Sequence, residues 1–174
     1  ADIKVVKEYK SYLIGRIERL TVAASSRIEA DCAVFKRCGG CTYRHVDYKA
    51  ELELKREGVK ALFRRNAGME IEVPIPLHGE QNAYRNKLLL PLTEQNGRIK
   101  CGFYAKHSHT VVPCDSCLLH TEDFSAICAR LTELLQGNSV YNEETGKGLL
   151  RHIYLRRTRK GEFGVCVIIN GKEL

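Results

Sequence analysis

Apolar residues alternate with polar ones in several runs of the sequence, as they do in strands with one buried face. The pair Asn96-Gly97 separates two such runs, which is the strongest short signal for a β-hairpin. Arg159-Lys160-Gly161 separates another two. The strands predicted from these patterns fall at 3–20 (two short strands), 84–92, 98–104, 150–157 and 163–169.

Two other regions repeat their apolar residues at helical spacing. The first is 47–65, which begins at the potential cap Asp47. The second opens at Thr121, carries acidic residues in its first turn and stops at Gly137. The apolar residues near one face of the first helix are Tyr48, Leu52, Val59, Leu62 and Phe63. Together these elements predict an α+β fold with a mainly antiparallel sheet and flanking helices.

Composition places the chain among ordinary globular proteins. It has 174 residues, 44% of them hydrophobic and 28% charged, and a mean hydropathy of -0.29. No apolar run approaches the ~20 residues needed to span a bilayer, and no signal-peptide pattern opens the sequence, so we expect a cytoplasmic protein without a membrane partner. The net charge of +7 is compatible with binding to phosphate backbones or anionic lipid.

The chain contains eight cysteines, which is unusual for a sequence without an export signal. Metal or cluster ligation explains that number better than disulfides do. Cys32, Cys38 and Cys41 fall within ten residues, and Gly39-Gly40 lets the backbone bend tightly between two of them. A fourth ligand must come from elsewhere in the chain.

Two metal sites are compatible with these spacings. Cys38, Cys41, Cys114 and Cys117 form a four-thiolate set of zinc-ribbon type, whereas Cys32, Cys38 and Cys41 with one distal cysteine form an iron–sulfur set. The long gap between the two pairs argues against a zinc ribbon, which also leaves Cys32 unexplained. Free, buried thiols are the remaining alternative. That alternative is favoured for Cys101, Cys128 and Cys166, which lie within strand or helix patterns.

The segment Cys32-x5-Cys38-Gly-Gly-Cys41, followed by His45 and a lysine-rich helix, resembles the iron–sulfur-containing RNA (uracil-5-)-methyltransferases of ribosomal and transfer RNA. The resemblance implies a 4Fe-4S cluster held by Cys32, Cys38, Cys41 and Cys117, with Cys114 as an extra thiol. Further stretches similar to the family's central domain are Tyr84-Arg85-Asn86-Lys87, Gly102-Phe103-Tyr104, Ser108-His109-Thr110-Val111-Val112 and Cys117-Leu118-Leu119.

The resemblance also implies a division into domains. Residues 1–25 look like the last strands of a TRAM-type β-barrel, a small RNA-binding module, and residues 26–174 look like the cysteine-cluster central domain. The chain holds no glycine-rich turn of the dinucleotide-binding type and no segment similar to the family's nucleophile motif. We therefore expect the domain that binds S-adenosylmethionine to be absent, and the fragment alone to be inactive although its parent enzyme is a methyltransferase.

RNA contacts are expected on two basic stretches, 84–109 and 145–160, where strands can present cations to phosphates and aromatics to unpaired bases. Without the family resemblance, solvated strand faces would be the better explanation of these charges. The resemblance favours ribosomal over transfer RNA as the partner, beside the missing catalytic domain. The predicted RNA-binding residues are Arg85, Asn86, Lys87, Phe103, Tyr104, His109, Arg156 and Arg157.

Two other functions fit part of the pattern. A zinc-binding nucleic-acid-binding or adaptor domain without catalysis would use the two Cys-x2-Cys pairs as a four-cysteine site. A ferredoxin-like electron carrier would use the cluster for redox chemistry. Iron and sulfide content, and dependence of RNA binding on salt, distinguish these functions from an RNA-recognition fragment of a methyltransferase.

Overall fold

The computed structural model describes residues 1–174, and in it the chain forms seven strands and two helices. The predicted α+β class with antiparallel strand pairing is confirmed. In chain order the elements are β1 (Asp2–Glu8), β2 (Leu13–Arg19), α1 (Tyr48–Ala67), β3 (Lys87–Gln95), β4 (Arg98–Tyr104), β5 (Val111–Pro113), α2 (Glu122–Leu134), β6 (Leu150–Arg157) and β7 (Phe163–Ile169).

The main sheet has five strands in the order β5-β4-β3-β6-β7. The hairpin predicted at Asn96-Gly97 joins β3 to β4, and both turn residues have positive φ angles, 53° and 71°, as a tight two-residue turn requires. The hairpin around Arg159-Lys160-Gly161 joins β6 to β7. Strand β5 was not predicted, because three residues are too few to show an alternating pattern.

Helix α2 covers one face of this sheet and forms the core with it. Leu88, Leu90 and Leu92 alternate along β3 and point toward the helix, whose Phe124 is fully buried among them and residues of β6. Gln136, just past α2, accepts a hydrogen bond from the N–H of Ile99 and donates one to its carbonyl, at 3.0 and 3.1 Å. The end of α2 is therefore fixed to the first residues of β4.

Helix α1 differs from the prediction in what it buries. Asp47 caps it as expected, accepting hydrogen bonds from the N–H groups of Lys49 and Ala50, and Gly68 ends it in a left-handed conformation. Only Leu52 of its predicted apolar face is buried, while Leu62 and Phe63 remain 48% and 43% exposed. The helix does not pack on the main sheet, so periodicity alone overstated its burial.

Strands β1 and β2 form a separate two-stranded sheet in which every residue is exposed. An isolated hairpin of this kind has little stability of its own in water. Its assignment to a TRAM-type module stays a prediction. Neither α1 nor α2 is both long enough and apolar enough to cross a membrane.

We expect Phe124→Ala to destabilise the fold by about 3–5 kcal/mol, because the side chain is fully buried between α2 and the sheet. Leu134→Ala on the same helix is the matched control, since Leu134 is 63% exposed and its truncation should change stability by no more than about 0.5 kcal/mol. Urea unfolding of both variants measures the difference. Equal losses in the two would contradict this packing.

Candidate metal centre and nucleic-acid interface

The segment that carries Cys32, Cys38 and Cys41 has no regular secondary structure, but its two ends are held together. The N–H of Ile28 donates to the carbonyl of His45 at 3.1 Å, and the N–H of Asp47 donates to the carbonyl of Ser26 at 2.8 Å. The segment therefore forms a closed loop at the base of α1.

Gly39 attaches this loop to the main sheet. Its N–H donates to the carbonyl of Tyr104 at the end of β4, at 2.9 Å, and the neighbouring Cys38 forms a bridge with Ala105. A Cβ atom on Gly39 would lie 2.8 Å from that same carbonyl oxygen. Only glycine allows so close an approach. Gly39 therefore lets the loop dock on β4, in addition to letting the backbone bend between the cysteines.

The distal cysteines reach the same place through the chain that follows β5. The N–H of Cys114 donates to the carbonyl of Cys101 at 3.2 Å, and the carbonyls of Leu118 and Leu119 accept hydrogen bonds from the segment before β3. Five cysteines consequently line one cavity with otherwise apolar walls. The lining residues are Cys32, Val34, Phe35, Cys38, Gly40, Cys41, Phe103, Cys114, Cys117 and Leu119.

Burial and mutual repulsion disfavour thiolates in this cavity. Burial, followed by the neighbouring Cys117, raises the pKa of Cys114 to about 11, and burial also raises the pKa values of Cys41 and Cys117. The guanidinium of Arg85 opposes the shift at Cys117 only in part. A cation in the cavity would remove this penalty, because thiolate ligands and positive metal centres stabilise each other.

The chemistry of these donors fits a thiophilic metal centre. All of the cysteines are free, and the cavity holds neither carboxylate nor imidazole among its lining residues. Gly40 donates its N–H to Cys38 Sγ at 3.3 Å, a hydrogen bond of the kind that stabilises a ligating sulfur. No three His, Cys, Asp or Glu side chains are arranged as a ready site for a single metal ion.

Cys114 and Cys117 differ in their surroundings. Cys114 Sγ donates to the carbonyl of Ser116 at 2.7 Å, which keeps its proton engaged. A backbone hydrogen bond lowers the pKa of each thiol against the larger effect of burial, but Cys117 also has the guanidinium of Arg85 nearby, which lowers its pKa further. Of the two distal thiols, Cys117 has the surroundings better suited to a thiolate.

A buried arginine that the sequence analysis missed supports the loop from its other side. Arg44 is 7% exposed and pairs through two nitrogens with Asp31, and its Nη2 also donates to Asn82 Oδ1 at 2.6 Å. The hydrogen bond with Arg44 lowers the pKa of Asp31, so the pair stays ionised at neutral pH. Nothing in the local sequence distinguishes Arg44 from the surface arginines.

The second face of the main sheet carries no helix. Lys87 lies opposite Arg156 and Leu89 lies opposite Tyr154 in the β3–β6 pairing, so all four project from this uncovered face. Leu89 is 52% exposed, which is unusual for an apolar residue in a central strand. Aromatic, apolar and basic side chains thus share one open surface.

Tyr104 extends this surface at the end of β4. Its hydroxyl shares a hydrogen bond with His152 Nε2 at 3.2 Å, and the ring of His109 meets its ring edge-on at 5.5 Å between centroids. Of the predicted RNA-binding residues, Lys87, Tyr104, His109 and Arg156 therefore lie on or beside the uncovered face. Tyr154 and His152 were not among the predicted RNA-binding residues. They share strand parity with Arg156, although a bulge next to His152 interrupts the alternation in β6.

The other predicted RNA-binding residues lie elsewhere. Arg85 and Asn86 precede β3, although the strand was predicted to begin at residue 84. The carbonyl of Asn86 accepts a hydrogen bond from the N–H of Arg157 at 2.8 Å. Phe103 packs against the core and the cysteine cavity. Arg157 lies against the ring of Phe163 on the helix-covered side.

Curated proteins named RNA methyltransferases match the chain over nearly its whole length. One from Listeria monocytogenes is 36% identical over 174 residues, which is 98% of this chain and 38% of that protein. One from Clostridium tetani is 33% identical over 178 residues, which is 99% of this chain and 38% of that protein. No protein-family model matches.

A solved structure adds the fold. The tRNA (uracil-54, C5)-methyltransferase of Pyrococcus abyssi, determined in complex with S-adenosyl-L-homocysteine, superimposes with a TM-score of 0.68 and 26% identity over 99% of this chain. The chain is a homologue of part of the RNA methyltransferases. It spans about 38% of the length of the curated relatives and 39% of the Pyrococcus chain. The family resemblance expected from the cysteine segment is thereby confirmed.

We expect Gly39→Ala to destabilise this methyltransferase homologue by about 1–3 kcal/mol, because the added Cβ would press on the carbonyl of Tyr104. Gly58→Ala is the matched control. Its Cβ would meet nothing within 4 Å in the middle of α1, and the change should stabilise the helix by about 0.5–1 kcal/mol. Thermal unfolding of the two variants, with opposite signs expected, checks the docking of the loop.

Proposed function

We propose that the chain is the RNA-recognition and iron–sulfur-binding part of an S-adenosylmethionine-dependent RNA uracil-C5 methyltransferase. The observation that carries this proposal is the near-complete match of the chain to part of a tRNA (uracil-54, C5)-methyltransferase. In this function the chain binds RNA and positions it, while methyl transfer belongs to a catalytic domain outside these residues. The 174 residues alone then transfer no methyl group.

The proposed metal ligands are Cys32, Cys38, Cys41 and Cys117, which surround one apolar cavity. The positive charge of Arg85, which lowers the pKa of Cys117, favours Cys117 over Cys114 as the fourth ligand. A 4Fe-4S cluster bound there would supply cross-linking of distant segments, since methyl transfer to carbon requires no electron. The residues around it would hold the loop at 26–46 against β4 and the segment before β3.

The proposed RNA surface is the uncovered face of the main sheet. Lys87 and Arg156 provide neighbouring positive charges for phosphates, while Tyr104 and Tyr154 provide rings for stacking. Arg85, near Cys117, extends the positive charge toward the cysteine cavity. Ribosomal RNA is the proposed substrate, as the sequence resemblance implies, although the Pyrococcus relative acts on transfer RNA.

The hairpin β1–β2 is proposed to belong to a TRAM-type module. Ile3 and Ile17 are cross-strand partners, and both are more than half exposed. A pair of apolar residues in a two-stranded sheet requires further strands or another surface to bury it. Completion of a barrel would provide that cover.

Cys38→Ser should abolish cluster binding, because it removes a ligand at the point where the loop docks on β4. Cys166→Ser is the control, since Cys166 is exposed on β7 and does not line the cavity. Iron and sulfide analysis after anaerobic reconstitution should give about four of each per chain for the wild type and control. One zinc and no iron would instead support the zinc-binding adaptor, and no bound metal would refute both.

Lys87→Met should weaken RNA binding by a similar factor for every RNA sequence. It should also make the fall of log K with log salt concentration less steep by about 0.7, because one phosphate contact is lost. Lys49→Met, at an exposed position on α1, should leave the slope unchanged. Titration of a single-stranded RNA at about 50 and 200 mM salt measures both. An unchanged slope for Lys87→Met would remove that residue from the RNA surface.

A further inference from the structure

A cleft of about 700 Å³ adjoins the uncovered sheet face at one end. Its walls come from β3, from the end of β4 with the turn after it, and from the loop that precedes β6. The volume falls within the range of ordinary ligand sites. None of the predicted metal ligands lines it, so it is separate from the cysteine cavity.

A β-bulge in β6 directs two consecutive side chains toward this region. Leu150 and Ile153 are both fully buried in the core, although residues three apart in a regular strand face opposite sides. The register shift between Leu150 and His152 inserts the extra residue that makes this possible. Arg151 and His152 both remain half-buried outside the core as a result.

One wall of the cleft is aromatic and held by hydrogen bonding. Tyr104 lines the cleft, and its hydroxyl is held by His152 Nε2 at 3.2 Å. His109 lies edge-on to the same ring and also lines the cleft. The tyrosine ring is therefore fixed in place without any ligand.

The other wall is formed by Tyr141 and Arg151. The guanidinium carbon of Arg151 lies 4.2 Å from the centroid of the Tyr141 ring, and Arg151 Nη2 donates to Glu143 Oε1 at 3.2 Å. Arg151 Nε is buried and has no hydrogen-bond partner. The stacked guanidinium and its pairing with Glu143 hold the Tyr141 wall in place.

The loop that carries Tyr141 is itself well fixed. The N–H of Tyr141 donates to the carbonyl of Leu150 at 2.8 Å, and the N–H of Asn142 donates to the carbonyl of Lys147 at 2.7 Å. Gly148 has a φ angle of 103°, and a Cβ there would clash with the carbonyl oxygen of Val140. The wall is thus formed before any ligand binds, which lowers the cost of binding.

We propose that this cleft binds one unpaired nucleobase of the RNA, between the Tyr104 wall and the Tyr141–Arg151 wall. The inference rests on the proposed RNA function and adds a base-binding site to it. Glu143 offsets the charge of Arg151, so the cleft suits a neutral, planar, hydrogen-bonding group better than a phosphate. Lys87 and Arg156, which are cross-strand partners on the same sheet face, bind phosphates to one side of that base.

The test compares two single-stranded RNA probes of roughly 12 nucleotides, oligouridylate and a fully abasic strand of the same length. Tyr141→Ala should reduce the affinity for oligouridylate by about 5-fold to 150-fold and leave the affinity for the abasic strand unchanged. Tyr141→Phe keeps the ring and should bind both probes like the wild type. Lys87→Met should weaken binding of both probes equally.

The outcomes separate the two proposals. Equal effects of Tyr141→Ala on the two probes, or no effect on either in a variant with wild-type circular dichroism, would overturn the base-binding cleft and leave RNA binding intact. Loss of affinity in Tyr141→Phe as large as in Tyr141→Ala would overturn stacking as the mode of binding. Failure of the wild type to bind either probe would overturn the proposed RNA function, and the cleft with it.

Discussion

Five thiols from distant parts of the chain share one small apolar cavity, and the hydrogen bonds of the surrounding loops bring them together. The loop at 26–46 has no helix or strand to define it, and it is held by Gly39 on β4 and by the buried pair of Arg44 with Asp31. Clustered buried thiols are unfavourable as anions, which explains the raised pKa values. A metal centre would turn this electrostatic cost into a cross-link between segments that are far apart in sequence.

One face of the main sheet packs against α2, and the other is the proposed RNA surface. Alternate residues of β3 and β6 either pack against α2 or project from the uncovered face, so a single strand contributes to both. Leu88 and Leu90 belong to the core, whereas Lys87 and Leu89 remain on the open side. Substitutions on the open side should therefore have little effect on the core, apart from those in the bulged part of β6.

Strand β4 connects the cysteine cavity to the proposed RNA surface. Phe103 forms part of the cavity wall, and the next residue, Tyr104, projects toward His152 on the uncovered face. The carbonyl of Tyr104 also accepts the hydrogen bond that docks Gly39. In the proposed function, loss of the cluster would thus be transmitted to the aromatic wall of the cleft through Tyr104.

The sequence by itself determined the α+β class, the Asn96-Gly97 hairpin, the cap of α1 at Asp47 and the resemblance to RNA methyltransferases, because these depend on local patterns and short motifs. It also predicted Lys87, Tyr104 and Arg156 as candidate RNA-binding residues. Only the tertiary structure decided that all five loop and distal cysteines line one cavity, that Phe103 and Arg157 lie on the covered side, and that a bulge turns Arg151 toward Tyr141. Those features depend on which strands pair and in what register, and contacts between residues far apart in the chain leave no periodic signal in it.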